Sequence, residues 1–206
     1  TLPSNLALCV GDDIEYVKIH DAELDKDLIV ARDRVEEISK GRQVTEVSSM
    51  PGKSLVGLRY EPIFPYFADL AEDGAFQVLS DGYVSTESGT GIVHQAPAFG
   101  EDDFRILKAH GVNATVCPVD MEGKFTAEVT DFSGLHVKEA DKQIIRHLKD
   151  AGHLYRQDVI VHSYPFCPRS DTPLIYRTVD SWYVRVEQMR DQLLAANENI
   201  NWVPGH

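Results

Sequence analysis

The sequence is poor in positive charge: 20 Lys and Arg stand against 33 Asp and Glu, a formal net charge of -13. An acidic surface repels phosphates, so the chain is not suited to gather a nucleic acid by its own field; something outside it would have to hold such a partner. Cysteine is scarce as well. Cys9, Cys117 and Cys167 are odd in number and far apart, which argues against a disulfide framework and for a reducing compartment, each thiol being read as a small apolar residue. No apolar run approaches the length that spans a bilayer. The opening Thr1-Leu2-Pro3 lacks an initiator Met and the basic and apolar regions of a signal peptide. The expectation is a piece of a longer soluble protein, cytoplasmic, with neither a membrane nor DNA as partner.

What is present suits one folded domain. The 206 residues are 43% hydrophobic, with 14 Gly and 10 Pro, enough for a core of useful size. Short β-type runs at 6–10, 16–19 and 28–31, each ended by Asp or Gly, read as a meander, and strands are expected again at 76–79, 91–94, 158–162 and 182–186. Residues 33–40, closed by Gly41, show a weak helical pattern, and Pro51-Gly52 opens a short helix. A capped helix is expected at 104–111. The clearest helix is predicted over 137–151, where Ala140, Ile144, Ile145 and Leu148 share one face and Gly152 follows. A last helix is expected at 187–197. Strands without regular strand-helix alternation predict an α+β fold, a β-barrel-like sheet with helices packed around it. Residues 1–206 read as one domain, with about 160–206 leading back into a host protein.

Chemistry concentrates in Glu87-Ser88-Gly89-Thr90-Gly91-Ile92-Val93-His94-Gln95-Ala96-Pro97-Ala98-Phe99-Gly100-Glu101-Asp102-Asp103-Phe104. It sets a Gly pair before a strand, a His at the strand's end, a Pro to stop it and carboxylates where a helix begins. Glycines allow close backbone approach to a ligand, and a strand end meeting a helix start brings side chains together. His94 and Asp103 are therefore expected to face one pocket. Plainer readings stand beside this one. Carboxylates at a helix start are commonly partners of the helix dipole, and a lone His is commonly structural. Gly89-Thr90-Gly91 lacks the third Gly and the preceding strand of a dinucleotide site. No Ser or Cys sits in a recognisable nucleophile motif.

The whole string resembles the editing-domain signature of isoleucyl-tRNA synthetases, particularly the eukaryotic cytosolic branch. Other segments agree. Thr1-Leu2-Pro3-Ser4-Asn5-Leu6-Ala7 resembles the tail of that family's threonine-rich motif. His162-Ser163-Tyr164-Pro165-Phe166-Cys167 and Asp171-Thr172-Pro173-Leu174-Ile175-Tyr176 resemble the segment before the return to the synthetic domain, as do Ser181-Trp182-Tyr183-Val184 and Asn201-Trp202-Val203-Pro204. The resemblance implies a class I synthetase editing domain that hydrolyses valine from isoleucine tRNA. Asp103 would hold the α-ammonium group and help orient water, and His94 would wall the side-chain pocket against isoleucine. Thr1, Asn5, Thr90, Phe99 and Gly100 would contact the amino acid and terminal adenosine.

The implied partner is the 3′ end of valine-charged tRNA(Ile), held mainly by the rest of the parent enzyme. No cofactor is implied here, ATP and Mg belonging to the synthetic domain. Two departures stand out. The family's motif continues upstream of Thr1 with further threonines, and the Cys-x-x-Cys of some relatives reads Cys167-Pro168-Arg169-Ser170 here, so no structural zinc is expected. Valyl- or leucyl-type editing domains are the near alternatives, and a catalytically decayed docking module is the distant one.

Overall fold

Two small sheets position everything else. The structure is a computed structural model that describes residues 1–159 and 161–204. In the first sheet β1 (Ala7–Val10) is central, parallel to β5 (Gln77–Ser80) and antiparallel to β6 (Val93–Gln95). Its run Ala-Leu-Cys-Val suits a strand covered on both faces, and Ala7, Cys9 and Val10 are fully buried. In the second, β2 (Glu15–Asp21) lies between β3 (Lys26–Ala31) and β4 (Val44–Pro51), all antiparallel. The two faces of β2 feed different clusters: Tyr16 packs with Val10, Ala31 and Leu55, while Val17 and Ile19 pack with Val30 and Ile38.

Among the described residues the six named strands form these two three-stranded sheets. The fold is mixed α+β, as expected. The opening meander is corrected: β1 belongs to a different sheet from β2 and β3, because its fully apolar run pairs with strands from residues 77–80 and 93–95. β4 had no counterpart among the expected strands. Its Val-Thr-Glu-Val-Ser-Ser-Met-Pro is a mostly exposed edge strand, held by β2 on one side, so no buried face imposed an alternation.

The helices follow the sequence closely. A 3-10 turn at Arg32–Arg34 leads into α1 (Val35–Ile38), and Gly52–Ser54 forms another 3-10 turn. α2 (Glu101–Ala109) begins three residues earlier than expected, taking its carboxylates into the first turn. α3 (Val137–Asp150) buries Ala140, Ile144 and Leu148 at fourfold spacing, against a cluster that includes Phe64, Phe125 and Phe132. α4 (Val186–Asn197) buries no side chain.

The strand expected at 158–162 includes Ile160, which lies outside the described residues. Asp158, Val159, Val161 and His162 are not in a strand, nor are Trp182 to Arg185, while Val186 opens α4. Val161 and Trp182 are fully exposed. β-branched and aromatic composition makes a strand only where a partner edge is available, and here none pairs with these residues.

The junction between the sheets is tight at Gly91. The Tyr16 hydroxyl donates to the Gly91 carbonyl at 2.6 Å and accepts from the Gly11 N–H, while the Ala31 N–H donates to the Thr90 carbonyl. Gly91 has a φ of +76°, and a Cβ there would lie 2.4 Å from that of Ala31. Gly89, at +67°, has open space around it. Gly91→Ala should therefore destabilise by about 2 kcal/mol or more, combining clash with strain, and Gly89→Ala by about 1 kcal/mol from strain alone. Urea denaturation of both variants checks the difference; equal losses would mean that the contact with Ala31 relaxes freely.

Candidate functional site

The pairing of β1 with β6 brings the chain's first residues to His94. Leu8 lies opposite His94, and the Leu6 N–H donates to the Gln95 carbonyl, so a 3-10 turn at Leu2–Ser4 runs beside the end of β6. The Thr1 Oγ1 is 2.9 Å from His94 Nε2, and the Asn5 Nδ2 is 3.3 Å from His94 Nδ1. An amide nitrogen only donates, so Nδ1 is the acceptor and Nε2 carries the proton toward Thr1. Burial lowers the His94 pKa to about 4. The ring is neutral at pH 7.

Asp103 is positioned differently. It sits in the first turn of α2, yet one of its oxygens accepts from the Ala96 N–H at 2.8 Å, tying the helix start to the backbone just past His94. Burial raises its pKa, the neighbouring Asp102 adds to this, and the Ala96 hydrogen bond opposes it. Asp102 and Asp103 are not equivalent. Asp102 is 3.1 Å from Arg105, which also grips Asp81 at 2.8 Å, whereas Asp103 has no cationic partner among the described residues. The helix-dipole reading fits Asp102 well; for Asp103 the Ala96 hydrogen bond offsets only part of the desolvation.

The other expected residues divide. Gly100 caps α2 with an extended backbone, and a Cβ there would come 2.8 Å from the Asp103 carboxyl carbon, so a side chain at this position would have to displace that carboxyl group. Phe99 packs against the α3 cluster and, with Thr1, lines a cavity of about 230 Å³ that Ser4, Lys138, Tyr164 and Tyr176 also line. Neither His94 nor Asp103 lines that cavity; it meets the His94 network through Thr1. Thr90 is spent on its own turn, its hydroxyl accepting from the Ile92 N–H and donating to the Ile92 carbonyl. Tyr60 had no place in the sequence reading, yet its hydroxyl donates to Asn5 Oδ1 at 2.5 Å. No local pattern announces it. Residues 164–178 lie across the site, with the Thr178 N–H donating to the Ala98 carbonyl and Arg177 to the Val119 carbonyl. Among the described residues no three His, Cys, Asp or Glu side chains gather as a metal site.

Comparisons with known proteins place this geometry in a family. A family model described as tRNA synthetases class I (I, L, M and V) matches residues 20–206. The chain belongs to the class I tRNA synthetases. It is 53% identical to an isoleucine--tRNA ligase of Bdellovibrio bacteriovorus over 208 residues, covering all of this chain and 20% of that protein. It is 52% identical to a cytoplasmic isoleucine--tRNA ligase of Mus musculus, covering 99% of the chain and 17% of the relative. The synthetase chain thus spans about a fifth of the length of these relatives, and identities this close do not assign it to a eukaryotic rather than a bacterial branch. In fold it is similar to a solved structure described as "The crystal structure of GlLeuRS-CP1", with a TM-score of 0.57, 16% identity and 80% of each chain covered.

His94 should titrate with a midpoint near 4, far under the ordinary 6.5. The depressed folded value means this group's stability contribution is present above 6.5 and is lost as pH falls toward 4. NMR titration of the ring protons checks it, and a midpoint near 6.5 would show an exposed, unconstrained imidazole.

Proposed function

We propose that this synthetase chain is an editing domain that hydrolyses the ester joining valine to the terminal adenosine of isoleucine tRNA. The observation that carries the reading is Asp103, a partly buried carboxyl group with no cationic partner among the described residues, tied to the backbone two residues past the neutral, hydrogen-bonded His94. A carboxylate so placed is stabilised by an incoming ammonium group, which every aminoacyl ester carries. The fold likeness to the CP1 structure supports the reading and, with it, the two sheets as walls of a barrel-like domain over residues 1–206. Among editing specificities the isoleucine type is favoured by relatives near 50% identity. The CP1 likeness at 16% identity speaks only for fold.

The need for such a domain is energetic. One methylene separates valine from isoleucine and is worth about 1 to 3 kcal/mol in a hydrophobic pocket; isoleucyl-tRNA synthetase is the standard illustration of this limit. A second pocket that admits valine and hydrolyses it supplies the missing discrimination. Asp103 would fix the ammonium and help orient water, His94 would occupy the side-chain wall, and Thr1, Asn5 and Phe99 would border the ribose and adenosine. Thr90 and Gly100 would act through the backbone. The ester is already activated, so a positioned water suffices and the domain needs no cofactor of its own. With a net charge of -13 the chain would depend on other surfaces to deliver the tRNA, so alone it should deacylate far more slowly than within a full-length ligase.

Asp103→Asn keeps the Ala96 hydrogen bond but removes the charge. Losing one partner of a buried charge pair costs about 2 to 5 kcal/mol, so clearance of valyl-tRNA(Ile) by a full-length ligase carrying this chain should fall roughly thirtyfold or more. Isoleucine activation should be unchanged. His94→Ala should make the same enzyme attack isoleucyl-tRNA(Ile). Deacylation time courses with both tRNAs test the pair; unchanged valyl clearance in Asp103→Asn would favour a decayed, non-catalytic module.

A further inference from the structure

We propose that Tyr60 is the positioning residue of the site: its hydroxyl orients the Asn5 amide, and that amide holds His94 as the Nε2–H tautomer aimed at the Thr1 hydroxyl. The chain of contacts is continuous. Tyr60 Oη lies 2.5 Å from Asn5 Oδ1, and Asn5 Nδ2 lies 2.8 Å from the Ala7 carbonyl and 3.3 Å from His94 Nδ1. His94 Nε2 then lies 2.9 Å from Thr1 Oγ1. The Ala7 carbonyl and the Tyr60 phenol act on the amide together: a flip would set oxygen against oxygen at Ala7 and cost Oδ1 its phenol donor. In the unflipped orientation Oδ1 needs a donor, and the Tyr60 phenol supplies it.

Tyr60 is itself fixed from the same strand region. Its N–H donates to the Phe76 carbonyl, and the Phe76 N–H donates to the Leu6 carbonyl, so Phe76 ties Tyr60 to the residue after Asn5. Phe76 is buried with a left-handed φ of 60°, unusual for an aromatic residue, and its ring meets that of Tyr60 edge-on at 6.1 Å. Such a conformation persists where surrounding packing over-determines it. Here it holds the phenol against Asn5.

The tautomer has a chemical consequence. With the proton on Nε2, His94 donates to Thr1 Oγ1, and the Thr1 hydroxyl hydrogen is free to point at a substrate oxygen. With the proton on Nδ1, Nε2 would take that hydrogen and Thr1 would offer substrate only an acceptor oxygen. Use of this hydroxyl in catalysis rests on the editing reading above; the tautomer does not.

The test is nitrogen-15 NMR of the histidine-labelled 206-residue chain at pH 7, where two-bond correlations distinguish the tautomers. The native chain should show the Nε2–H pattern for His94. Tyr60→Phe, which keeps the Ala7 contact, should shift the His94 signals part of the way toward the Nδ1–H pattern while circular dichroism and the melting temperature stay near native. Asn5→Asp, whose carboxylate only accepts, should reverse the pattern to Nδ1–H. A native Nε2–H pattern surviving in folded Tyr60→Phe overturns the proposal, as does a native Nδ1–H pattern. Should Tyr60→Phe fail to fold, the native chain decides: a slowly exchanging Tyr60 hydroxyl proton with cross-peaks to Asn5 supports the proposal, and their absence overturns it. In a full-length ligase, Tyr60→Phe should lower the deacylation kcat about tenfold at unchanged KM, one hydrogen bond's worth. Altered NMR with no deacylation even by the native enzyme would sink the editing reading and leave Tyr60 in its role. Unaltered NMR with normal deacylation would do the reverse.

Discussion

The antiparallel pairing of β1 with β6 determines where each candidate side chain points. Strand side chains alternate between faces, so a slip of one residue would turn His94 away and bring Gln95 out in its place. The register is secured on both sides. Gln95 is fully buried, its amide donating to the Tyr83 hydroxyl at 2.7 Å, and β1 is gripped on its other edge by β5. With Leu8 opposite His94, residues 1–5 have little choice but to run past the imidazole. The Ala96 N–H, the first backbone donor beyond β6, then captures Asp103 and sets the start of α2. One register thus fixes three segments far apart in sequence.

That geometry has an electrostatic cost. His94 and Asp103 are both desolvated, and each is pushed toward its neutral form, His94 downward from 6.5 and Asp103 upward from 3.8. Their stability contributions run in opposite directions. That of Asp103, with its raised folded value, is present below 3.8 and is lost as pH rises through its folded pKa; that of His94 is lost as pH falls below 6.5. Burial disfavours the charged form of both groups, and only for Asp103 would a bound ammonium offset that effect. Elsewhere charges are paired at the surface, as in Arg32 with Glu15 and Glu46 or Lys18 with Asp27, where each pair contributes little.

Much of this was legible in the sequence where a signal is local. α3 could be read because its apolar stripe is imposed by one buried face and its end by Gly152, and the string from Glu87 to Phe104 announced a strand stop and a helix start. β4 was silent because an edge strand with an exposed face needs no alternation, and the run at 182–186 misled because its composition suits a strand that has no partner. Tyr60 and Asn5 meet only through the register of β1 and the left-handed turn at Phe76, neither of which leaves a pattern in the residues between them. Thr90 illustrates the converse: it lies inside the informative string, but its hydroxyl is taken up by Ile92.

The direction of the Thr1–His94 bond also constrains the kind of chemistry the site supports. A base that activates a hydroxyl must accept its proton, yet Asn5 occupies Nδ1 as a donor and leaves Nε2 protonated toward Thr1. His94 therefore does not prepare Thr1 as a nucleophile. Cys9 is equally unsuited, since it is fully buried within β1 and burial pushes its thiol up to about 12. What the arrangement offers is a hydroxyl free to donate, a neutral ring as a wall and a carboxylate awaiting a cation. On the proposed editing reading these groups would hold an aminoacyl ester in place while water attacks it, and their contribution to rate would come through orientation.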